Sequence, residues 1–272
     1  MYFMEDTREA ERLATKVVPE SWVSSYLPTT NLSGVRDVLD VGCGPGVIAR
    51  ALACRYPEAQ VTGLDISPDR VARATRQNAD VPNVAICHGS ATNMPFGEGQ
   101  FDLVYCRFLL EYLPTRAEAV SEMVRVCRPG GSVLLQDLDG QLLWHFPCDE
   151  QMSGGIGRVL RRLSNTGFDP FVGRKLYSLA WSAGLRDLSV RIEPYHLIAG
   201  AIDAHDYELW KLKLDIALPF ITKALGSRCD AEQLVAAFLQ HLQREDTLTY
   251  SVVFTVSGRK EGREERHLQD FT

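Results

Sequence analysis

The sequence predicts an α/β chain built on a parallel, doubly wound sheet. Three observations carry that prediction. Short β-rich runs alternate with helical patterns from residue 35 to residue 139. A glycine-rich turn stands directly after the first run and directly before the first helix. An acidic residue, Asp65, closes the second run, as Asp40 nearly closes the first.

The elements follow in order. VRDVLDV (35–41) is a β-rich run ending in GCGPG. A helix is expected over roughly 46–56, stopped near Pro57, and QVTGL (60–64) forms the second strand. SPDRVARATRQNA opens a helix with Ser67 as N-cap and Pro68 in the first helical position. VAICH (84–88) and QFDLVYC (100–106) are the third and fourth strands. A helix over 117–127 stops at RPGG, which reads as a sharp turn, and SVLLQDLD (132–139) is the fifth strand. Beyond Gly140 the pattern loosens. Helices are expected over 149–166, 174–185, 205–225 and 230–244, and strands over 188–198 and 248–258. Residues 5–27 read as a further helix, broken near Pro19.

Composition narrows the class. The 272 residues are 45% hydrophobic and 24% charged, an ordinary globular mix that can bury a full core without disulfides or metal. The net charge of −6 argues against a nucleic-acid partner, which wants a basic surface. No apolar run reaches membrane-spanning length, and the charged start MYFMEDTREAERLATK lacks a signal core, so a cytoplasmic protein is expected. The seven cysteines are odd in number and include no CxxC pair, which fits free thiols.

The glycine turn and the two acids point to a nucleoside-containing ligand at the carboxyl edge of the sheet. Glycines allow a tight turn and close approach of backbone to ligand. Asp65 suits a pair of ribose hydroxyls. A dinucleotide favours GxGxxG, whereas this turn is GCGPG with Asp40 two residues before it. A carboxylate there repels phosphate and suits a cationic ligand such as S-adenosylmethionine, with its sulfonium and ammonium groups.

The blocks VLDVGCGPG, GLDIS, HGSATNMPF–GEGQFDLVYCRFLLEYL and EMVRVCRPGGSVLLQD together resemble a class I S-adenosylmethionine-dependent methyltransferase. The flavour is the small-molecule methyltransferase domain 11/25 type, similar to ubiquinone/menaquinone-biosynthesis methyltransferases. The resemblance is tight over roughly 35–140. It implies a Rossmann-like, doubly wound, seven-stranded sheet with an antiparallel last strand, helices on both faces, and a helical cap from the N-terminus and insertions. Residues 1–258 would form one domain, with 30–140 as the cofactor half and 1–30, 140–172 and 199–247 as cap and substrate segments. Residues 259–272 would be a charged tail.

The resemblance also implies site roles. Gly42, Cys43 and Gly44 would pass beneath the methionine part of S-adenosylmethionine, and Asp40 would engage its ammonium. Asp65 would hold the ribose and Ile66 would pack on the adenine. Ser90 and Ala91 stand where the family often has Asp-Ala, so a hydroxyl replaces the usual carboxylate. Cys106 and Arg107 would border the methionine end. S-adenosyl-L-homocysteine would be the product. His145 and Glu111 are the candidate proton acceptors. Asp137 and Asp139 raise the thought of a metal, but no further acidic motif supports one, and none is expected. Aromatic residues in and beside the cap segments, among them Tyr2, Phe3, Trp22, Tyr26, Trp144, Tyr195 and Trp210, favour a small apolar or aromatic methyl acceptor. The partners expected are that acceptor and, if the chain is not a monomer, a second copy in a homodimer. A protein or RNA methyltransferase, or a cofactor-binding protein of this fold without methyl transfer, are the alternative readings.

Overall fold

The computed structural model describes residues 34–262. The helix expected over 5–27, with Tyr2, Phe3, Trp22 and Tyr26, lies outside the described residues, as does most of the charged C-terminal stretch. The elements in chain order are β1 (Asp37–Val41), α1 (Val47–Arg55), β2 (Gln60–Asp65), α2 (Pro68–Gln77), β3 (Val84–His88), β4 (Phe101–Arg107), α3 (Arg116–Val126), β5 (Cys127–Phe146), α4 (Glu150–Ser164), α5 (Leu176–Ser182), β6 (Leu185–Ala199), α6 (Ala204–Leu225), α7 (Arg228–Leu242) and β7 (Leu248–Lys260). Short 3₁₀ turns occupy Leu110–Tyr112 and Gly173–Lys175.

The seven strands form one sheet in the order β3-β2-β1-β4-β5-β7-β6. The ladders β1–β2, β1–β4, β2–β3 and β4–β5 are parallel, as the alternation of strands and helices predicted. The chain divides into two compact units: 34–137, Arg174–Arg191 and 254–262 in one, Leu138–Gly173 and Ile192–Val253 in the other.

In the first unit, continuous apolar runs fill both faces of the central strands. Val38, Leu39, Leu103 and Val104 are wholly buried. Each such side chain contributes about 1.5–3 kcal/mol by leaving water. Helix α1 meets this core through small residues, Ala49, Ala51 and Ala53 beside Leu52, so its axis can close on the sheet. Helix α2 begins as its sequence dictates: Pro68 is at the first position and the Ser67 hydroxyl accepts the Arg70 N–H. The register sets Val41 beside Leu64 and Asp40 beside Gly63, so β1 and β2 end level and both acids reach the same edge.

RPGG is not a plain turn between helix and strand, as the sequence suggested. Residues 127–131 already belong to β5, and the ladder passes from Phe101–Cys127 to Leu103–Ser132. The extra residues form a bulge in which Gly130 takes φ +78°. Arg128 secures it, pairing with Asp102 and with Asp37 at 3.2 Å. The second carboxylate oxygen of Asp102 accepts the N–H groups of Arg36 and Asp37, which ties the start of β1 to the same cluster.

β7 also departs from expectation. It runs to Lys260, so Arg259 and Lys260 are strand residues and not part of a tail. Lys260 is buried, and its ammonium donates to the carbonyls of Arg125 (3.1 Å) and Cys127 (2.9 Å) at the end of α3. A cation there complements the negative end of a helix. Gln136 bridges two strands, accepting from the Tyr105 hydroxyl and donating to Thr255 Oγ1 at 2.7 Å. The helix expected over 174–185 is shorter, a 3₁₀ turn followed by α5, and Gly184 turns the chain at φ +91°.

The second unit is mainly helical. Asp149, Asp203 and Ser227 cap α4, α6 and α7 through their side-chain oxygens. Gly226 (φ +79°) and Ser227 alone link α6 to α7. One glycine of α4 has a packing reason: a Cβ on Gly155 would stand 2.8 Å from Leu234 Cδ1 of α7. β5 extends well past the expected Asp139, which makes Trp144 and His145 strand residues and not loop residues.

Candidate active site

The glycine turn is built by positive φ at Gly42 (+75°), Gly44 (+53°) and Gly46 (+79°), a region that L side chains avoid. The N–H groups of Gly42 and Cys43 both donate to the Leu64 carbonyl, at 2.8 and 3.0 Å. The Asp65 carboxylate accepts from Gly44 N (2.9 Å) with one oxygen and from Ser67 N (2.9 Å) with the other. Asp65 thus braces the turn after β1 and the start of α2 at once. Its remaining lone pairs can receive further donors.

Asn78, which sequence reasoning missed, closes the turn from behind. Its Nδ2 donates to the carbonyls of Ala74 (2.8 Å) and Gly46 (3.3 Å). The sequence placed Asn78 inside the helical run SPDRVARATRQNA, whereas the helix ends at Gln77 and Asn78 is its cap. A Cβ on Gly46 would lie 2.6 Å from Asn78 Nδ2 and 3.0 Å from Ala74 Cβ. Gly46→Ala combines that overlap with a left-handed φ. It is expected to destabilise the fold by about 2–4 kcal/mol. Urea unfolding tests this, and an unchanged midpoint would show that the turn is looser than the geometry requires.

Asp40 is buried at the end of β1. Its carboxylate accepts the Ala49 amide of α1, serving the helix start where Gly46 has no side chain to do so. Its other oxygen, Oδ2, is buried with no hydrogen-bond partner among the described residues. Burial pushes its carboxyl up to about 7, and the nearby Asp65 carboxylate adds to the rise. The Arg107 guanidinium and the Ala49 amide pull the other way. A buried carboxylate with a vacant lone pair is costly unless a donor or cation completes it.

The remaining predicted residues fall around these two acids in different ways. Ile66 is 67% exposed, an unusual state for a large apolar side chain, and lies directly after Asp65. Cys43 is buried and turns inward, its Sγ 2.9 Å from where a Gly63 Cβ would be. Ser90 shares a 2.9 Å hydrogen bond with Thr92 Oγ1 and accepts the Thr92 N–H, and Ala91 is half-buried beside it. Cys106 is buried, and burial, with Asp137 and Asp40 adding repulsion, pushes its thiol well up, which removes it as a nucleophile. The Arg107 guanidinium lies 4.1 Å from the Phe108 ring centre, and Phe108 takes φ +51°. Leu109, another residue the sequence did not flag, covers Gly42: a Cβ there would come 2.9 Å from its Cδ2.

The two candidate proton acceptors belong to different units. Glu111 is buried in the 3₁₀ turn after β4, and its N–H donates to Asp137 Oδ2 at 3.1 Å. His145 is in the helical unit. Its Nδ1 lies 3.0 Å from Thr249 Oγ1, and its ring meets Phe238 and His241 edge-on at 5.3 and 5.2 Å. That unit carries a chain of rings, continuing from Phe238 through Trp210 and His196 to Tyr195. His241 borders a groove of about 760 Å³ between α4 and α7, lined also by Met152, Leu234 and Gln240. Burial and the Arg244 charge push His241 below the ordinary imidazole range, against an opposing pull from Asp246. Among the described residues no group of three or more His, Cys, Asp or Glu could hold a metal ion. No helix among them is long and apolar enough to cross a membrane.

A doubly wound sheet in this order, with a glycine turn between two edge carboxylates, is the class I S-adenosylmethionine-dependent methyltransferase fold. Residues 38–131 match the family model described as a methyltransferase domain. It is 33% identical over 170 residues to a protein of Oryza sativa described as a probable tocopherol O-methyltransferase, spanning 61% of this chain and 45% of that one. It is 35% identical over 114 residues to the demethylmenaquinone methyltransferase of Staphylococcus epidermidis, 42% of this chain and 47% of that one. The chain thus spans about half the length of these curated relatives. In fold it is similar to the Haemonchus contortus phosphoethanolamine N-methyltransferase 2, with a TM-score of 0.60 and 17% identity over 95% of this chain and 60% of that one.

Proposed function

We propose that this protein transfers a methyl group from S-adenosylmethionine to a small, apolar or aromatic metabolite. One observation carries the reading most: the buried Asp40 Oδ2 that no described residue completes, in the crook of a glycine turn. A buried carboxylate oxygen left open at that position fits an ammonium and rejects a pyrophosphate. The residues present fit the cofactor elsewhere too. Asp65 has lone pairs left for ribose hydroxyls, and exposed Ile66 offers an apolar face to an adenine. Ser90 and Ala91 would border that adenine, and Arg107 would balance the charge of Asp40.

When bound, S-adenosylmethionine supplies an electrophilic methyl group on a good leaving group. The protein then has chiefly to position the acceptor and exclude water. Glu111 and His145 are the proposed proton acceptors where the acceptor must lose a proton. The similarity to tocopherol and demethylmenaquinone methyltransferases favours a ring-bearing acceptor.

Titration calorimetry with S-adenosylmethionine, followed by S-adenosylhomocysteine release against a panel of small phenols, quinols and amines, tests the reading. Micromolar binding and acceptor-dependent release are expected. Absence of binding at high micromolar concentration would end the cofactor assignment. Binding without release across the panel would favour a protein of this fold that does not transfer methyl groups.

A further inference from the structure

Ile66 is a large apolar side chain left 67% exposed on a segment that is otherwise tied down. β2 ends at Asp65, so the Ile66–Ser67 peptide lies past the ladder. Its N–H is held all the same, donating to Asp65 Oδ1 at 2.9 Å. Its C=O is held from the neighbouring strand. His88 is the last residue of β3 and pairs with Asp65 in the final rung of the β2–β3 ladder. Its imidazole reaches one residue further, and Nε2 lies 3.0 Å from the Ile66 oxygen. A carbonyl only accepts, so Nε2 carries the proton and donates. The peptide is thus gripped at both of its polar atoms, and the direction in which the Ile66 side chain leaves the backbone is fixed. An exposed apolar side chain on a pinned peptide is a preorganised face for a ligand.

The imidazole also joins the two chain ends that carry the side chains proposed for the adenine, Ile66 after β2 and Ser90 after β3. The backbone brings those ends together without it. The Gly89 N–H donates to the Asp65 carbonyl at 3.0 Å, and a Cβ on Gly89 would stand 2.7 Å from Leu64 Cδ1 and 2.9 Å from Pro95 Cδ. Those contacts set the end of β3 against β2, but they do not touch the Ile66 carbonyl. The hydrogen bond from His88 is exposed, so it contributes little to the stability of the fold. Resting on the cofactor reading above, we propose that His88 is a positioning residue for the adenine: through the Ile66 carbonyl it holds the apolar wall of the adenine slot in place beside Ser90.

Titration calorimetry with S-adenosylhomocysteine on the full chain and its variants tests this. His88→Ala is expected to weaken binding about 3- to 10-fold. Its thermal midpoint should stay within about 2 °C of wild type. His88→Gln, whose amide donates from near the Nε2 position, is expected to recover most of the lost affinity. Ile66→Ala should weaken binding at least as much as His88→Ala. Adding His88→Ala to Ile66→Ala should cost little more, because the imidazole acts through Ile66. Losses that multiply in the double variant would overturn the proposal, as would wild-type affinity in His88→Ala or no recovery in His88→Gln. A midpoint lowered by more than about 5 °C in His88→Ala would make His88 a residue of the fold and overturn it too. The cofactor reading is judged separately. A wild type that does not bind S-adenosylhomocysteine ends both, whereas Asp65→Ala losing affinity while His88→Ala keeps it ends only the role of His88.

Discussion

Asp40→Asn is expected to make the unliganded protein more stable at neutral and alkaline pH while weakening its hold on S-adenosylmethionine. The sign follows from burial. The folded chain keeps the Asp40 proton up to about pH 7, whereas the free carboxyl gives it up near 3.8. Between those values the folded state binds a proton that the unfolded state releases, so stability is full below 3.8 and declines as pH rises to about 7. The accumulated cost is on the order of 4 kcal/mol, from ~1.4 kcal/mol per pH unit. Asparagine, which cannot ionise, removes it. Urea unfolding at pH 5 and pH 8 should show the wild type losing stability between them and the variant losing less. An identical difference in both proteins would show that Asp40 does not ionise in the folded chain. On the same grounds the wild type should bind the cofactor more tightly as pH rises through about 7. The variant should bind it about 10- to 100-fold less well, the loss of a charged hydrogen bond. The conflict between the two effects has a physical source: a carboxylate kept dry for a cation is strained until the cation arrives.

Asp65→Ala should be more damaging. It orphans the N–H groups of Gly44 and Ser67, each now held at 2.9 Å, and frees the glycine turn from the start of α2. A fall in unfolding free energy of about 2–4 kcal/mol is expected, because hydrogen bonds to a charged group contribute about 1.5–3 kcal/mol apiece and water can replace part of that. Cofactor binding should fall at least about 100-fold, since both the ribose contact and the turn are lost. Asp65→Asn keeps an acceptor for one of the two N–H groups and should sit between wild type and alanine in both measurements. A stable Asp65→Ala chain with normal affinity would place the ribose elsewhere.

The cofactor half of this fold was legible because its signals are local. Strands β1 to β4 lie within a residue or two of their predicted bounds; β1 to β3 are short β-rich runs closed by glycine or an acid, and β4 is an apolar run closed by Arg107. Asp40, Asp65 and the glycines were visible for the same reason: one turn contains most of the geometry. What escaped depends on contacts far apart in the chain. Asn78 reaches back 32 residues to Gly46, and no pattern in either segment announces it. RPGG reads as a stop, because proline and glycine usually are one, yet Arg128 and Asp102 hold it in the ladder as a bulge. His145 was expected in a loop because Gly140 breaks the apolar run, while the strand continues through it to Phe146. Nothing in the sequence near His145 foretold Phe238 or His241, which come from a helix about a hundred residues later.

The ammonium of Lys260 closes a still longer connection, to carbonyls 133 and 135 residues earlier. Its consequence is one of timing. A ribosome has finished α3 and the first half of β5 long before it makes β7, and through that interval the edge of β5 has no neighbour on its far side. The helix end stays bare and the nascent sheet stays open until the last strand slides in between β5 and β6. A chain cut short before β7 would therefore emerge with its sheet unfinished in the middle, not frayed at one end.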